Sequence, residues 1–282
     1  MEKWHRDATR LTETLFAASP FREHRARFNV WAADTPSEQS GISRPSDGVH
    51  RRTALGTTYD AFGSERYVLD FDNKRLREVA SAAPYEFIEI VANDRKYGGG
   101  GIHNLYATVA ADNAFTPYVF VHEFGHHFAG LADEYYTSPV AYEGPPAAAE
   151  SPEPWEPNAT ADPRAGKLRD LVSAGVPLPT PWPKDEFEAA QREIQARRRK
   201  IREEKRPEAE MEALFREERE RMSRLLGSAP YAGRVGAFEG ALYAAKGYYR
   251  PQADCIMFTR DEVGFCAVCR RAIERVIALY AR

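Results

Sequence analysis

Two histidines separated by four positions are the first candidates for chemistry in this 282-residue sequence. They are His122 and His126 in the segment HEFGHHFAGLADEYY, residues 122–136. On an α-helix this spacing is a little over one turn, so both imidazoles project from one face and can bind one metal ion. Glu123 lies about 100° around the helix from His122, where it can hold a water molecule as a general base. The pattern H-E-x-x-H therefore predicts a metal site with a base beside it.

The residues after this pattern offer a third metal ligand. Gly130 can end the helix and turn the chain back, which would bring Asp133 or Glu134 to the metal. Water would then take the fourth position, as expected of catalytic zinc. The alternative is that the two acids cap the helix or form surface ion pairs. His127 is rotated off the ligand face, so it is predicted to pack or to support a ligand.

Several segments are predicted to position this site. Pro117 begins an apolar helix that carries the histidines. Alternating or continuous apolar patterns predict strands at 27–34, 87–93 and 103–110. The run Gly98–Gly101 precedes the last of these strands. Such a run is tolerated where the chain must bend or come close to another backbone. It indicates either a flexible hairpin loop or a bulged rim beside a site that receives another chain.

Helical patterns occupy much of the remaining sequence, and a Pro-rich irregular segment is expected over 138–185. An amphipathic N-terminal helix would bury Trp4, Ala8, Leu11, Leu15 and Phe16, and a C-terminal helix would turn Val268, Ile273, Val276, Ile277 and Tyr280 inward. Interleaved Glu and Arg over 185–226, interrupted by Pro207, predict a salt-bridged exposed helical hairpin. Further helices are predicted at 73–83 and at 235–247.

Composition narrows the classes of function. The formal net charge is −3, so nothing suggests nucleic acid or an anionic membrane surface as a partner. The sequence contains no apolar run near the roughly 20 residues that a membrane helix needs. The N-terminus lacks the pattern of a signal peptide, and it opens so directly on a helix that a trimmed form is expected.

The three cysteines lie close together near the end of the sequence, at Cys255, Cys266 and Cys269. The CAVC segment could be a redox pair or half of a zinc site, but a four-sulfur zinc site needs one more thiolate. We therefore expect either one local disulfide or three buried thiols.

The segment HEFGHHFAGLADEYY resembles the IgA-peptidase-like metallopeptidases of the M64 family, among the metzincin-like zincins. The resemblance extends to RFNVWAAD, SERY, NDRKYGGGGIHN, EPWEPNAT, VGAFEGALYAAKGYYRP, DCIMF and FCAVCRRAIE. It covers most of the chain, and the charged segment 185–226 is the least similar part. The resemblance implies an α+β fold with a twisted mixed sheet packed on the active-site helix, a C-terminal helical subdomain and a charged helical insertion. It implies one catalytic domain over 1–282, with sub-parts 1–130 and 131–282.

The resemblance also implies roles for particular residues. One catalytic zinc ion would be bound by His122, His126 and Asp133, with Met257 in a methionine turn beneath it. The glycine lies one residue later than in the common metzincin pattern, so Glu134 stays open as the alternative third ligand. Glu123 would accept a proton from water and return it to the leaving amine. Help for the oxyanion is expected from Tyr249, with Tyr248 and Arg250 as alternatives.

The resemblance further implies a peptide or protein substrate and a secreted or cell-envelope location. An extended peptide would pair with an edge strand near Asn104–Ala110, where Asn104 and Tyr106 would bind it. Two other hypotheses stay open: a catalytically inactive metal-binding scaffold, and an interaction module that docks a partner through 185–226. Glu123 favours the enzyme, because a scaffold has no need of a base beside its first ligand.

Overall fold

The computed structural model describes residues 2–137, 152–261 and 263–281. Part of the predicted irregular segment, residues 138–151, lies outside the described residues. The chain forms two compact units. The first unit runs to Gly130 and includes the chain from Val276 onward, and the second runs from Leu131 to Arg275. Helices and small sheets together make an α+β protein, as predicted.

A mixed three-stranded sheet lies in the first unit. Its strands are β1 (Glu89–Ala92), β2 (Gly99–Ile102) and β3 (Tyr106–Ala110). Their order is β1-β3-β2, with β3 parallel to β1 and antiparallel to β2. The strands expected within 87–93 and 103–110 are thus confirmed. However, β3 is hydrogen-bonded on both sides, so the prediction that a substrate adds to this strand as an edge is wrong.

Helix α3 (Thr116–Ala129) packs on β2 and β3 and carries the histidine motif. Pro117 stands in its first turn, and Gly130 ends it in the left-handed conformation with φ 59°, as the sequence predicts. The apolar side of α3 belongs to a cluster of aromatic rings in which neighbouring ring centroids are 4.4–6.3 Å apart: Phe21, Phe28, Phe87, Phe124 and Phe128. Helices α1 (Glu2–Ala17) and α2 (Asn73–Ala80) also belong to this unit.

Three of the four glycines of the run, Gly99, Gly100 and Gly101, lie in strand β2, so the hairpin-loop hypothesis is wrong. The run instead meets the general condition for such glycines, a close approach of the chain to another backbone. A Cβ at Gly101 would lie 2.3 Å from the carbonyl oxygen of Glu123, and one at Gly99 would lie 2.5 Å from Val119 Cγ1. Only the absence of side chains lets the sheet come this close to α3.

The strand predicted over 27–34 is also wrong. Residues 28–34 are irregular, and Val30 and Trp31 are 50% and 64% exposed. Alternation of apolar residues produces a strand only where a neighbouring strand and a core receive it.

Two long charged helices, α4 (Lys184–Glu203) and α5 (Glu208–Gly227), pack against each other in the second unit. Pro207 directly precedes α5, and ion pairs join the helices, such as Arg197–Glu217 at 2.5 Å. The predicted salt-bridged hairpin is therefore confirmed. Its inner face is apolar, with buried Phe187, Ile194, Met211, Leu214, Phe215 and Met222.

A β-hairpin occupies the place where a helix was predicted over 235–247. It consists of β4 (Phe238–Ala241) and β5 (Ala244–Arg250), which pair antiparallel. Leu242 and Tyr243 form its two-residue turn with φ of 53° and 62°. Positive φ at both central positions is typical of a two-residue hairpin turn. Such turns usually contain Asn, Asp or Gly, so Leu and Tyr gave no signal of a turn, and a helix was predicted.

The last helix, α6 (Ala267–Tyr280), confirms the C-terminal helix. Val268, Ile273 and Ile277 are buried, whereas Tyr280 is 55% exposed, so its predicted inward orientation is wrong. Across the described residues, every helix is too short or too polar to span a bilayer.

Candidate metal centres

His122 and His126 turn their Nε2 atoms toward each other on α3, at a distance of 3.1 Å. Two nitrogens that bind one zinc ion at about 2.0–2.1 Å and at a tetrahedral angle lie about 3.3–3.4 Å apart. The two rings are nearly perpendicular, with an interplanar angle of 84°. One ring nitrogen from each histidine and one carboxylate oxygen of Glu123 all lie within 4.8 Å of one another. The residues present therefore fit a metal ion.

Tyr118 supports the first of these histidines from one turn earlier on α3. Its hydroxyl lies 3.3 Å from His122 Nδ1. A hydrogen bond at Nδ1 fixes the orientation of the ring and leaves the Nε2 lone pair for a metal. The sequence analysis did not single out Tyr118, although the i−4 position is visible in the sequence.

Glu123 is 9% exposed and has a second carboxyl group nearby. That group belongs to Glu89 of β1, whose two carboxylate oxygens are buried and lack hydrogen-bond partners. Burial, and then the negative charge of Glu123, raise the pKa of Glu89 well above its usual value. The neutral acid is thus favoured beside Glu123. The sequence analysis missed Glu89, which stands in the strand pattern as its one charged residue.

His127 holds the helix against the sheet instead of joining the other histidines. Its Nε2 accepts a hydrogen bond from the backbone N–H of Ile88, and its Nδ1 lies 3.1 Å from the carbonyl oxygen of Ile102. The ring is therefore neutral, with its proton on Nδ1. Burial lowers the pKa of His127 to about 4. The predicted packing role is confirmed.

Asp133 belongs to the second unit and is 8% exposed. Its carboxylate accepts a hydrogen bond from the hydroxyl of Tyr243, and its backbone carbonyl accepts one from Leu242 at 3.0 Å. Both partners come from the turn between β4 and β5. The sequence analysis missed Tyr243 because it predicted a helix at this position.

Glu134 is fully buried beside the three cysteines. Its Oε1 lies 3.4 Å from Cys269 Sγ and 3.9 Å from Cys266 Sγ, and it accepts a hydrogen bond of 2.9 Å from the Asn158 amide. The cysteines are free and buried, which confirms the expectation of three buried thiols. Sequence spacing could not reveal that a carboxylate more than a hundred positions earlier joins them.

Arg250, which was one of the predicted alternatives for the oxyanion donor, is a buried core residue. It is 0% exposed, and its guanidinium donates hydrogen bonds to the carbonyl oxygens of Glu239, Gly240 and Ala253. It also stacks on Trp182 and Phe258, with ring distances of 4.0 and 3.8 Å. This alternative is therefore wrong, because the side chain is committed to the core.

Other predicted site residues lie as follows. Tyr248 packs against Ala132, Ala159 and Ala241, while the backbone of Tyr249 pairs with Thr160. Met257 is buried in the turn 256–258, and its carbonyl oxygen accepts a hydrogen bond from the backbone of Glu134.

Two residues were predicted to bind substrate. The side chain of Tyr106 is 2% exposed, and its hydroxyl donates to the carbonyl oxygen of Asp70. That prediction for Tyr106 is contradicted by its burial in the core. Asn104 is exposed in the turn between β2 and β3, with φ 57°.

Residues 1–277 match the family described as IgA Peptidase M64. The chain belongs to this family. Membership over nearly the whole length makes it a peptidase, and confirms the family resemblance given by the histidine motif. A search of curated proteins found no match.

Proposed function

We propose that this M64 family member is a zinc-dependent endopeptidase of the zincin type. The observation that carries the proposal is the 3.1 Å separation of the two Nε2 atoms, with the carboxylate of Glu123 beside them. Two imidazole nitrogens form a donor set that suits zinc. Their helix is fixed by its aromatic contacts and by His127, so the nitrogens are held in place before any ion binds.

His122 and His126 would hold the ion, and Asp133 is proposed as the third ligand from its position in the sequence. The contacts of Glu134 with the cysteines support this choice over Glu134. Tyr243 would orient the Asp133 carboxylate in the same way that Tyr118 orients His122. Met257 beneath the metal and Tyr249 as an oxyanion donor stay predictions, as does secretion.

A zinc ion would act as a Lewis acid: it would lower the pKa of bound water toward about 7 and polarise a peptide carbonyl. Glu123 takes the proton from the attacking water and returns it to the leaving amine nitrogen, so the carbon–nitrogen bond breaks without releasing an amide anion. Glu89 stands behind this base. As a neutral acid, which its raised pKa favours, it adds no second negative charge next to Glu123.

The test compares wild type with Glu123→Gln, which keeps the size and removes the base. Zinc content is measured by elemental analysis, and cleavage of a peptide library is followed by mass spectrometry. We expect unchanged zinc and a loss of cleavage by about 10²–10⁴-fold or more. Glu86→Gln, at an exposed position of the same unit, is the matched control and should cleave like wild type.

Two outcomes would contradict the proposal. Full cleavage by Glu123→Gln would remove Glu123 from its role as base. A wild-type protein that binds zinc at the histidines but cleaves nothing in the library would favour the inactive scaffold. His126→Ala should lose the ion held by the histidines, and unchanged zinc in that variant would mean that the ligands are wrong.

A further inference from the structure

We propose that Glu134, Cys255, Cys266 and Cys269 form a second metal site, a closed structural zinc site in the second unit. The four residues converge from three separate parts of the sequence. Their ligand atoms all lie within 4.8 Å of one another, and all four residues are at most 4% exposed. The inference does not depend on the proposed peptidase mechanism, because it involves none of the histidines.

The distances between the ligand atoms match those of a tetrahedral zinc site. Two sulfurs bound to zinc at about 2.3 Å lie about 3.8 Å apart, and a sulfur and a carboxylate oxygen lie about 3.5 Å apart. The structure has 3.8 Å between the sulfurs of Cys255 and Cys269. It has 3.4 and 3.9 Å from Glu134 Oε1 to the sulfurs of Cys269 and Cys266. One ion can therefore contact all four groups with little movement.

Backbone N–H groups point at two of the sulfurs. Cys255 Sγ accepts from the N–H of Met257 at 3.5 Å and of Cys266 at 3.3 Å. Cys266 Sγ accepts from the N–H of Cys269 at 3.4 Å. Such donors stabilise the negative charge of a thiolate, which is the form that binds a metal. Three neutral thiols packed for volume alone would not need this arrangement.

One oxygen of the Glu134 carboxylate also indicates a bound cation. Glu134 Oε2 is buried and has no hydrogen-bond partner, although Asn158 and the sulfurs surround Oε1. A buried carboxylate with an unpartnered oxygen is costly, and a cation bound by the same carboxylate offsets that cost. Three thiolates, one carboxylate and Zn²⁺ would leave a net charge of about −2. The buried guanidinium of Arg250 lies near enough to Glu134 and Cys255 to offset part of that charge.

The ligand count and the burial indicate a structural role. Four protein ligands close the coordination shell, whereas a catalytic ion keeps a position open for water. The ion would join the segment after Leu131, the turn at Cys255–Phe258 and the start of α6. A disulfide is the rival explanation, but its sulfurs would be about 2.05 Å apart, far less than the 3.8 Å observed.

The test uses the full chain with His122→Ala and His126→Ala combined, so that all four proposed ligands remain. We expect about two zinc ions per wild-type chain and about one in this double variant. Replacement of that remaining ion by Co²⁺ should give the near-ultraviolet charge-transfer absorption of cobalt thiolates. X-ray absorption at the zinc edge should show sulfur neighbours at about 2.3 Å.

Glu134 is tested separately in the same histidine-free background. Glu134→Cys supplies a fourth thiolate and should retain the ion, whereas Glu134→Leu should lower zinc affinity by about 10-fold or more. Retention of zinc at wild-type affinity in Glu134→Leu would remove Glu134 from the ligand set.

Three results would overturn the proposal. The first is that the double histidine variant binds no metal and shows no cobalt–thiolate absorption. The second is a disulfide between Cys255 and Cys269 in protein that has not been reduced. The third is that iron, and not zinc, is bound at the sulfurs. Failure of the peptidase proposal would look different, because cleavage would be absent while the sulfur-bound ion remained.

Discussion

Replacement of Gly101 by alanine should damage both the stability of the protein and its histidine motif. The added Cβ would lie 2.3 Å from the carbonyl oxygen of Glu123 and 2.9 Å from His126 Cβ. The first of these neighbours is backbone, and it cannot rotate away as a side chain can. Overpacking in a filled interior costs about 1–3 kcal/mol. We expect Gly101→Ala to lower the free energy of unfolding by about 3 kcal/mol, near the upper end of that range, because either β2 or α3 must move as a whole.

One of the two elements in this contact is the helix that carries the proposed ligands and base. A shift of about 1 Å at a catalytic group can reduce a rate by about 10²-fold. We therefore expect Gly101→Ala to lower the denaturation midpoint by about 5 °C, and to reduce peptide cleavage even where the protein is folded. Cleavage is to be measured well below the midpoint, so that unfolding does not account for the loss.

Gly227→Ala is the matched control, since it makes the same substitution at an exposed helix end with no atom within 4 Å of the new Cβ. It should be neutral or stabilise by about 0.4–1 kcal/mol through the unfolded chain. Equal midpoints for Gly101→Ala and wild type would refute the idea that the glycines of β2 are required by the contact with α3.

Three further predictions concern single side chains. Burial raises the pKa of Glu89 well above its usual value, so the free energy of unfolding should fall as pH rises above the usual carboxyl pKa. The advantage of Glu89→Gln over wild type in urea unfolding should therefore grow from about pH 5 to about pH 8. A constant difference would contradict the burial argument. Tyr118→Phe removes the hydroxyl next to His122 Nδ1 and should weaken zinc binding at the histidines by about 10–100-fold. Zinc affinity is measured by competition with a chelator. Equal affinity in the variant and wild type would show that the hydroxyl does not support the ligand. Arg197→Ala breaks an exposed ion pair with Glu217 and should change the free energy of unfolding by less than about 1 kcal/mol, so a larger loss would mean that the pair is more than a surface interaction.

The parts of the site that the sequence predicts well are those with a local cause. The helix of the histidine motif has a proline at its start, a left-handed glycine at its end and an apolar face, and each signal acts within a few residues. The charged helices have a proline between them and i,i+4 partners along them. Family resemblance added the fold class and the peptidase assignment, which spacing alone does not supply.

The parts that it predicts poorly depend on distant contacts. Residues 28–34 alternate like a strand but have no partner there, and 235–247 look helical but form a hairpin through two positive φ angles. The cysteines seemed one ligand short because the fourth group, Glu134, is more than a hundred residues earlier. Glu89 and Tyr243 became visible for the same reason: only the folded chain brings them to Glu123 and Asp133.

The most direct test of the proposed active centre is a crystal structure of the zinc-loaded protein with anomalous scattering recorded at the zinc absorption edge. We predict a peak within about 2.0–2.1 Å of Nε2 of both His122 and His126, with one coordination position occupied by solvent. A zinc-loaded crystal with no peak between these two nitrogens, or with an ion there enclosed entirely by protein ligands, would contradict the metallopeptidase proposal.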